Sequence, residues 1–349
     1  MSKINNKINK VVWLQGIFSE DAVNSSNAIS AAANIWQSQL IKSLINQDLR
    51  ILYLGHKFEQ VWPRGRLRIK ANLKDKVPDL DGTLLSYLNV PYLRNIILRK
   101  KYQNYLVKKL KITSGDIIVT YNDSFICRIL KKIKKKENFK WISIVADLKY
   151  PKGADGYIYL SWDYYNRTRH KQKKIHIDGG VTFNNLKLNK KFNTAKKIIM
   201  YTGQIGGHGG LSILLNAFDQ LNYKEVELWI CGKGYDPSVK KFESKNKSIK
   251  LFGFVTKNKL HYLSSQADIF VNPRERNGNE KNFPSKILHY LAYLKPIITT
   301  SSGLSKKYGS VCNVLADDNV ETLKIEILKC LNLSNNEISN LSNKICAFN

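Results

Sequence analysis

Cysteine, proline, methionine and acidic residues are all scarce in this chain of 349 residues, which contains 5 Cys, 8 Pro, 2 Met and 27 Asp plus Glu. The cysteines show no paired short spacing, and this excludes a zinc-finger pattern and a disulfide framework. We expect reduced, mostly buried thiols. The scattered positions are Cys127, Cys231, Cys312, Cys330 and Cys346.

Long apolar runs are also missing. No run reaches the roughly 18 residues that a membrane span needs. The first ten residues, MSKINNKINK, lack the apolar middle of a signal peptide. We therefore expect a protein that is made and kept in the cytoplasm.

The shortage of acids leaves 57 Lys plus Arg and a formal net charge of +30. Two explanations stay open: a Lys-, Asn- and Ile-rich composition, or attraction to a polyanion or an anionic leaflet. Between 94 and 140 the sequence contains fourteen basic residues and three acidic ones, which favours a real positive surface on the protein. We expect this surface to contact the anionic inner face of the cytoplasmic membrane. No nucleic-acid module is recognisable and aromatics are not interleaved with the basic runs, so we predict no nucleic-acid partner.

Helical and strand-like runs alternate along the chain, and 43% apolar residues can supply two cores. This alternation predicts an α/β fold. A basic amphipathic helix is predicted over 87–110, and it either contacts acidic headgroups or is simply solvated.

Polar residues follow several predicted strands of the first half. Gly16 follows strand 10–15 and precedes a helix over 28–46; Asp123 and Asp147 follow strands 116–121 and 141–146. Such positions are where α/β folds keep their chemistry. Either carboxylate could equally cap the following helix.

A double glycine at 179 and 180 is followed by a polar segment without periodicity, which predicts an interdomain linker. The predicted domains are 1–182 and 196–333, joined by 183–195, with a final helix in 334–349.

A glycine-rich loop opens the second half. After strand 197–202 the sequence reads GQIGGHGG over 203–210, directly before an amphipathic helix. Amides of such a loop can close on a diphosphate, although purely structural glycine loops exist. The Gly-Lys-Ser/Thr ending of ATPases is absent, so ATP hydrolysis is not predicted.

The stretch 268–300 predicts a second part of the same anion site. It contains a strand 269–271, a charged loop with Arg274, Arg276 and Lys281, a helix 285–294 and a strand 296–300. This order places backbone N–H groups and fixed cations around one crevice.

Three short motifs here, Asn272-Pro273-Arg274, Phe283-Pro284-Ser285-Lys286 and His289-Tyr290, resemble the nucleotide site of the retaining, metal-independent glycosyltransferases of group 1 (GT-B, family 4-like). The likeness is to bacterial capsule, O-antigen and lipopolysaccharide members. It implies two Rossmann-like domains facing a cleft, with a C-terminal helix crossing back to the first. Family members often have an excursion at the place of 56–76 that lines the acceptor pocket; an ordinary solvated loop is the alternative here. It also implies transfer of a hexose-type sugar from a nucleotide diphosphate sugar to a saccharide or polyprenyl-linked acceptor, without cofactor or metal.

The resemblance also implies roles for individual residues. Catalytic roles fall on Asp147, Arg274 and Lys286. Donor-binding roles fall on residues of both halves: Gly16, Gly203, Gln204, His208, Gly209, Gly232, Lys233, Phe254, Val255, Lys281, Phe283, Ser285 and His289.

The chain departs from the family pattern at four positions. The two family glutamates are replaced by Lys281 and His289, and the loop Arg and Lys by Gln204 and by His208 or Gly209. Two hypotheses therefore remain: an active transferase of surface polysaccharide biosynthesis, or a degenerate relative that binds a sugar nucleotide or a partner enzyme without turnover.

Overall fold

The computed structural model describes residues 9–26, 29–147, 150–181, 196–206, 209–221, 225–276, 281–301 and 303–348. Contacts divide the chain into two compact units. The first comprises 1–159 and 170–175, and the second comprises 160–169 and 176–349.

The first unit is built on a seven-stranded sheet of order β4-β2-β1-β6-β7-β8-β9. The strands are β1 (Val11–Leu14), β2 (Ile51–Gly55), β4 (Gly82–Leu84), β6 (Ile117–Tyr121), β7 (Lys140–Val145), β8 (Gly156–Tyr159) and β9 (Lys173–His176); β3 (Arg68–Ile69) and β5 (Tyr87–Leu88) form a separate antiparallel pair. The helices are α1 (Glu20–Asn24), α2 (Ala31–Ile45), α3 (Leu93–Gln103), α4 (Ser124–Ile133) and α5 (Trp162–Arg167), the last of which belongs to the second unit. From β4 to β8 every pairing is parallel, as in Rossmann-like folds.

Apolar patterning explains these elements. Every residue of β1 is buried, as expected for a parallel strand covered on both faces. Helix α4 buries Ile126, Ile129, Leu130 and Ile133 at helical spacing and leaves its cations outside.

The predicted helix 87–110 is wrong at its start. Residues 87–88 form β5, α3 begins only at Leu93, and a π-helical segment, Asn104–Lys109, extends it. Pro91 lies between strand and helix. Because proline lacks an N–H and restricts the residue before it, a helix through this point is disfavoured.

The second unit is built on a six-stranded sheet of order β12-β11-β10-β13-β14-β15. The strands are β10 (Lys197–Thr202), β11 (Val226–Cys231), β12 (Ile249–Gly253), β13 (Ile269–Asn272), β14 (Ile297–Thr299) and β15 (Asn313–Val314). The helices are α6 (Leu211–Asp219), α7 (Pro237–Lys245), α8 (Lys257–Gln266), α9 (Lys286–Leu291), α10 (Val320–Leu331) and α11 (Asn335–Cys346). All pairings are parallel, and both sheets reverse strand order once, so the prediction of an α/β fold with two Rossmann-like domains is confirmed.

The segment around α5 belongs to the second unit although it precedes residue 182. The Ser161 hydroxyl donates to the Lys281 carbonyl, and Trp162 N donates to the Gly303 carbonyl at 2.9 Å. The expected linker 183–195 lies outside the described residues. Helix α11 packs on the second unit, where Ser342 Oγ donates to the Leu294 carbonyl at 3.0 Å.

All five cysteines are free, and Cys346 is the exposed one, which confirms the expected unpaired, mostly buried thiols. In the described ranges no helix is both long and apolar enough to cross a membrane.

Candidate functional site

The candidate site lies in the second unit, at the carboxyl ends of the neighbouring strands β10 and β13. The strand order reverses between these two strands. Ligands of open α/β sheets bind at the carboxyl ends of the strands at such a reversal. The residues that follow β10 and β13 are the glycine-rich loop and the Pro273-Arg274 segment, the two stretches that the sequence singles out.

The start of the glycine-rich loop is joined to the turn after β11. Gly203 N donates to the Cys231 carbonyl at 2.9 Å, and Ile205 N donates to the Lys233 carbonyl at 2.7 Å. A Cβ on Gly232 would overlap the Gly203 carbonyl oxygen. Only glycine permits this approach of two backbones. The structure thus brings Gly203, Gly232 and Lys233 together.

Replacement of Gly232 by alanine should therefore lower the unfolding temperature by about 5 °C, because overpacking against backbone typically costs about 2 kcal/mol. Gly309→Ala is the matched control, since a Cβ there meets nothing within 4 Å. Thermal unfolding of both variants checks this, and equal midpoints would contradict the close approach.

The end of the glycine-rich loop touches the segment after β13. Gly210 is the N-cap residue of α6 and has a φ of +68°, a left-handed conformation that favours glycine. A Cβ on it would lie 2.6 Å from the Pro273 carbonyl oxygen. Among the described residues no side chain caps α6, so its first turn is a candidate position for an anion.

Arg274 is held by its backbone. Its N–H donates to Thr300 Oγ1 at 2.6 Å, and Thr300 Oγ1 donates to the Arg274 carbonyl at 2.7 Å. The side-chain Nε is buried without a hydrogen-bond partner, and burial lowers the pKa of Arg274. A buried, unsatisfied guanidinium nitrogen is costly unless a ligand completes it.

Lys286 extends from the start of α9 toward Gly203 at the beginning of the glycine-rich loop. Its Nζ lies 4.4 Å from the centroid of the Tyr201 ring and 2.5 Å from the position a Cβ on Gly203 would take. Desolvation of the ammonium, with a smaller contribution from Arg274, lowers the pKa of Lys286 to about 7. Neither cation forms an ion pair with a described carboxylate. Two partly desolvated cations without a counter-charge are suited to a phosphate.

The other predicted donor residues of this unit lie around the same sheet end. Lys233 Nζ lies 4.3 Å from the centroid of the exposed Phe254 ring, and Val255 follows half-buried. Gln204 accepts from the Tyr201 hydroxyl at 2.8 Å through its carbonyl. Gly209 abuts the same hydroxyl, since a Cβ on it would lie 2.8 Å away.

The segment before α9 supplies three more of them. Lys281 is anchored through its carbonyl to Ser161, and Phe283 is buried with its ring 6.3 Å from Tyr308. Ser285 precedes α9, and its N–H donates to the Phe283 carbonyl at 3.0 Å.

His289, one turn after Lys286 on α9, is engaged by a neighbouring helix. Its Nε2 lies 3.1 Å from the buried Ser264 Oγ of α8, and its ring packs against Tyr293 with centroids 5.1 Å apart. Burial lowers the pKa of His289 to about 4, so the ring is neutral at pH 7. His208 lies outside the described residues.

Two predicted residues belong to the first unit. Gly16 follows β1, and a Cβ on it would overlap the Phe18 ring. Asp147 follows β7 and accepts a hydrogen bond from the Asn122 side chain, which follows β6. The polar residues that follow these two strands therefore lie together.

Sequence reasoning assigned no role to the side chains that hold these loops in place. Tyr290 Oη accepts from Thr202 N at 2.9 Å and from Thr202 Oγ1 at 3.0 Å, and its ring stacks on Phe270 at 4.5 Å. Thr300 and Tyr201 were missed as well. The sequence signals that could have found these residues are an aromatic residue directly after His289 and hydroxyl side chains at the ends of strands.

The sequence profile described as glycosyl transferases group 1 matches residues 196–332. No curated protein sequence is significantly similar to the chain.

Solved structures with a similar fold cover nearly the whole chain. A sucrose-phosphate synthase from Thermosynechococcus elongatus has 15% identity and a TM-score of 0.67, over 97% of this chain and 94% of that one. Anabaena HepE, solved in complex with UDP, has 12% identity and a TM-score of 0.68 over the same shares. A UDP-forming α,α-trehalose-phosphate synthase from Burkholderia xenovorans has 11% identity and a TM-score of 0.67, again over 97% and 94%. Residues 196–332 are thus a glycosyltransferase group 1 domain, within a chain of the GT-B fold.

Proposed function

We propose that this protein is a retaining, metal-independent glycosyltransferase that moves a hexose-type sugar from a nucleotide diphosphate sugar to a saccharide or lipid-linked saccharide acceptor in surface polysaccharide biosynthesis. The observation that carries the proposal is the pair Arg274 and Lys286, whose buried charge lacks a described counter-ion beside the glycine-rich loop. The fold neighbours that bind or form UDP support a nucleotide donor, with UDP as the first nucleotide to test.

The proposed reaction breaks the bond between the anomeric carbon and the diphosphate oxygen. The acceptor hydroxyl oxygen bonds to that carbon on the same face, and its proton passes to the leaving phosphate. Arg274, Lys286 and the first amides of α6 stabilise the charge that develops on the diphosphate. Asp147 orients the acceptor, held in place by Asn122.

The test is a thermal-shift screen with UDP, GDP, CDP and their sugars, followed by turnover of a radiolabelled donor panel with lipid extract. A nucleotide at a hundred times its dissociation constant should add about 2.7 kcal/mol of stability. We expect one base to be preferred and its sugar to be transferred. Failure of every nucleotide to shift the midpoint would overturn the proposal.

A degenerate relative that binds without turnover is the second candidate. Lys281 and His289 stand where the resemblance places two glutamates, and His289 is already engaged with Ser264. A carboxylate forms stronger hydrogen bonds to sugar hydroxyls than a neutral imidazole does. A clear thermal shift with a sugar nucleotide, together with no product from any donor, would favour this candidate.

We further propose that the first unit associates with the anionic inner face of the cytoplasmic membrane through the basic surface 94–140. Beside it, Leu93 and Ile96 on one side of α3 are 48% and 47% exposed, and the preceding Tyr92 is 88% exposed. Apolar side chains next to cations are typical of surfaces that lie at a headgroup layer.

Replacement of Leu93 and Ile96 together by serine should weaken binding to phosphatidylglycerol vesicles about tenfold, because burial of two such side chains is lost. Ile325→Ser is the matched control, since Ile325 is a helical residue of the second unit with 45% exposure. Vesicle co-sedimentation measures both. Equal binding of vesicles by the Leu93 and Ile96 double variant and by Ile325→Ser would contradict a membrane role for α3.

A further inference from the structure

Two adjoining cavities on the first unit carry a further inference. One, of about 670 Å³, opens at the carboxyl ends of β6 and β7 and is lined by Asn122, Ser143 and Lys152 among others. The second, of about 440 Å³, is lined by residues of α3 and α4. Both cavities include Arg128 and Lys131, which lie one turn apart on α4, so the two cavities adjoin at this helix. Together they are called the groove below.

The groove is strongly basic. Six cations line it: Arg99, Arg128, Lys131, Lys132, Lys135 and Lys152. In the described ranges none of them forms an ion pair with a carboxylate. One acid, Asp123, also lines the groove, where its Oδ1 accepts from Phe125 N at 2.8 Å and from Ile126 N at 3.0 Å. Its single charge leaves the six cations in clear excess.

The cations of the larger cavity converge from two elements. A Cβ on Gly153 would lie 3.9 Å from Lys131 Cγ, so the turn that carries Lys152 lies against the stem of Lys131. Arg128 is placed by its own helix, where its Nε donates to the Ser124 carbonyl at 3.3 Å. The wall between these charges also includes Ile144, Val145 and Pro151.

A concave site with clustered cations and hydroxyls is suited to a phosphate or diphosphate, whose oxygens accept several charge-assisted hydrogen bonds at once. A neutral saccharide would leave most of these cations without a counter-charge. The site adjoins Asn122, which is hydrogen-bonded to Asp147 at the predicted acceptor position.

We propose that this groove binds a phosphate or diphosphate group on the acceptor, so that the acceptor is a phosphorylated saccharide rather than a neutral one. The assignment rests on the proposed glycosyltransferase function. The phosphate comes either from a lipid-linked diphosphate or from a soluble sugar phosphate. The two sources share the same recognition chemistry at Arg128, Lys131 and Lys152.

The test is calorimetric titration of the full chain, with excess UDP present to fill the proposed donor site, against pyrophosphate, farnesyl diphosphate and glucose 1-phosphate at about 0.15 M salt, where general surface attraction is screened. Arg128→Gln with Lys131→Gln should weaken binding at least about tenfold, because charge-assisted hydrogen bonds are lost. The matched control is Lys108→Gln with Lys109→Gln, which removes the same charge from exposed residues outside both cavities. The control should bind as the unmodified protein does.

Each outcome decides between sources or overturns the assignment. Tighter binding of farnesyl diphosphate supports a lipid-linked acceptor, and equal binding of glucose 1-phosphate supports a soluble one. No binding of any of the three probes, equal weakening in both double variants, or displacement of pyrophosphate only by single-stranded nucleic acid would overturn the proposal. UDP titrated in parallel separates the two hypotheses: Arg128→Gln with Lys131→Gln should leave UDP affinity unchanged, whereas absence of UDP binding in every variant would refute the donor function alone.

Discussion

Arg274→Gln combined with Lys286→Met should weaken the binding of the preferred nucleoside diphosphate about 1,000-fold, because two charge-assisted hydrogen bonds contribute about 1.5–3 kcal/mol each. Arg274 brings a buried Nε that lacks a partner, and Lys286 brings a partly desolvated ammonium beneath the glycine-rich loop. Neither charge is neutralised by a described carboxylate, so a bound diphosphate would be their principal counter-charge. Calorimetric titration with the nucleotide measures the effect.

Thermal unfolding of the unliganded variants distinguishes loss of folding from loss of binding. Lys286→Met removes an ammonium that lacks a described ion-pair partner, so the unfolding temperature of this single variant should stay equal or rise. The control Lys241→Met with Lys245→Met removes two exposed charges from α7 and should keep nucleotide affinity within about twofold, since exposed charges are screened by salt. Unchanged nucleotide affinity in the Arg274 and Lys286 double variant would place the donor pocket elsewhere.

The existence of the two halves of this site could be predicted from the sequence because both depend on local signals. A glycine cluster between an apolar strand and an amphipathic helix has few structural alternatives, and the charged loop before Lys286 is equally distinctive. The distance between them could not be predicted. It depends on the order of strands, which places β10 beside β13 although about seventy residues separate them.

The supporting hydrogen bonds were beyond sequence reasoning for the same reason. Thr300 fixes Arg274 from a strand that is distant in sequence, and Tyr290 fixes Thr202 across the sheet end. Threonine and tyrosine occur throughout α/β proteins, so their residue type carries little information until the fold brings them to one place.

His289 illustrates a different limit. The motif that contains it indicates a position close to the donor, yet its ring nitrogen lies against Ser264 of α8. Helical spacing sets His289 one turn from Lys286, but it does not determine which of two packed surfaces the side chain faces. The cavities around Arg128 could not be predicted either, because the basic run 94–140 alone does not distinguish a solvated face from a lined groove.

Donor affinity should fall as pH rises from 7 to 9, by about tenfold per pH unit, because the free protein must then take up a proton on Lys286 before it binds the diphosphate. In the unliganded protein desolvation holds the pKa of Lys286 at about 7; a bound diphosphate favours the ammonium and raises that pKa. The charged groups that face Lys286 do not titrate in this range: burial raises the pKa of Tyr201 to about 12, and Arg274 stays charged.

The same shift predicts the pH dependence of stability. The pKa of Lys286 is lower in the folded protein than the value of about 10.4 in the unfolded chain, so between these two values the unfolded state binds more protons. The contribution of Lys286 to the free energy of unfolding therefore rises with pH from 7 to about 10, and the Lys286→Met variant should lack this pH-dependent rise.

Titration of UDP, or whichever nucleotide is preferred, between pH 6 and about 9.5 measures the predicted pH dependence of donor affinity. Because the methionine variant has no ammonium to protonate, its weak residual affinity should be flat over this range. An equally flat profile in the unmodified protein would mean that Lys286 does not hold the diphosphate, even if nucleotide binding itself is confirmed.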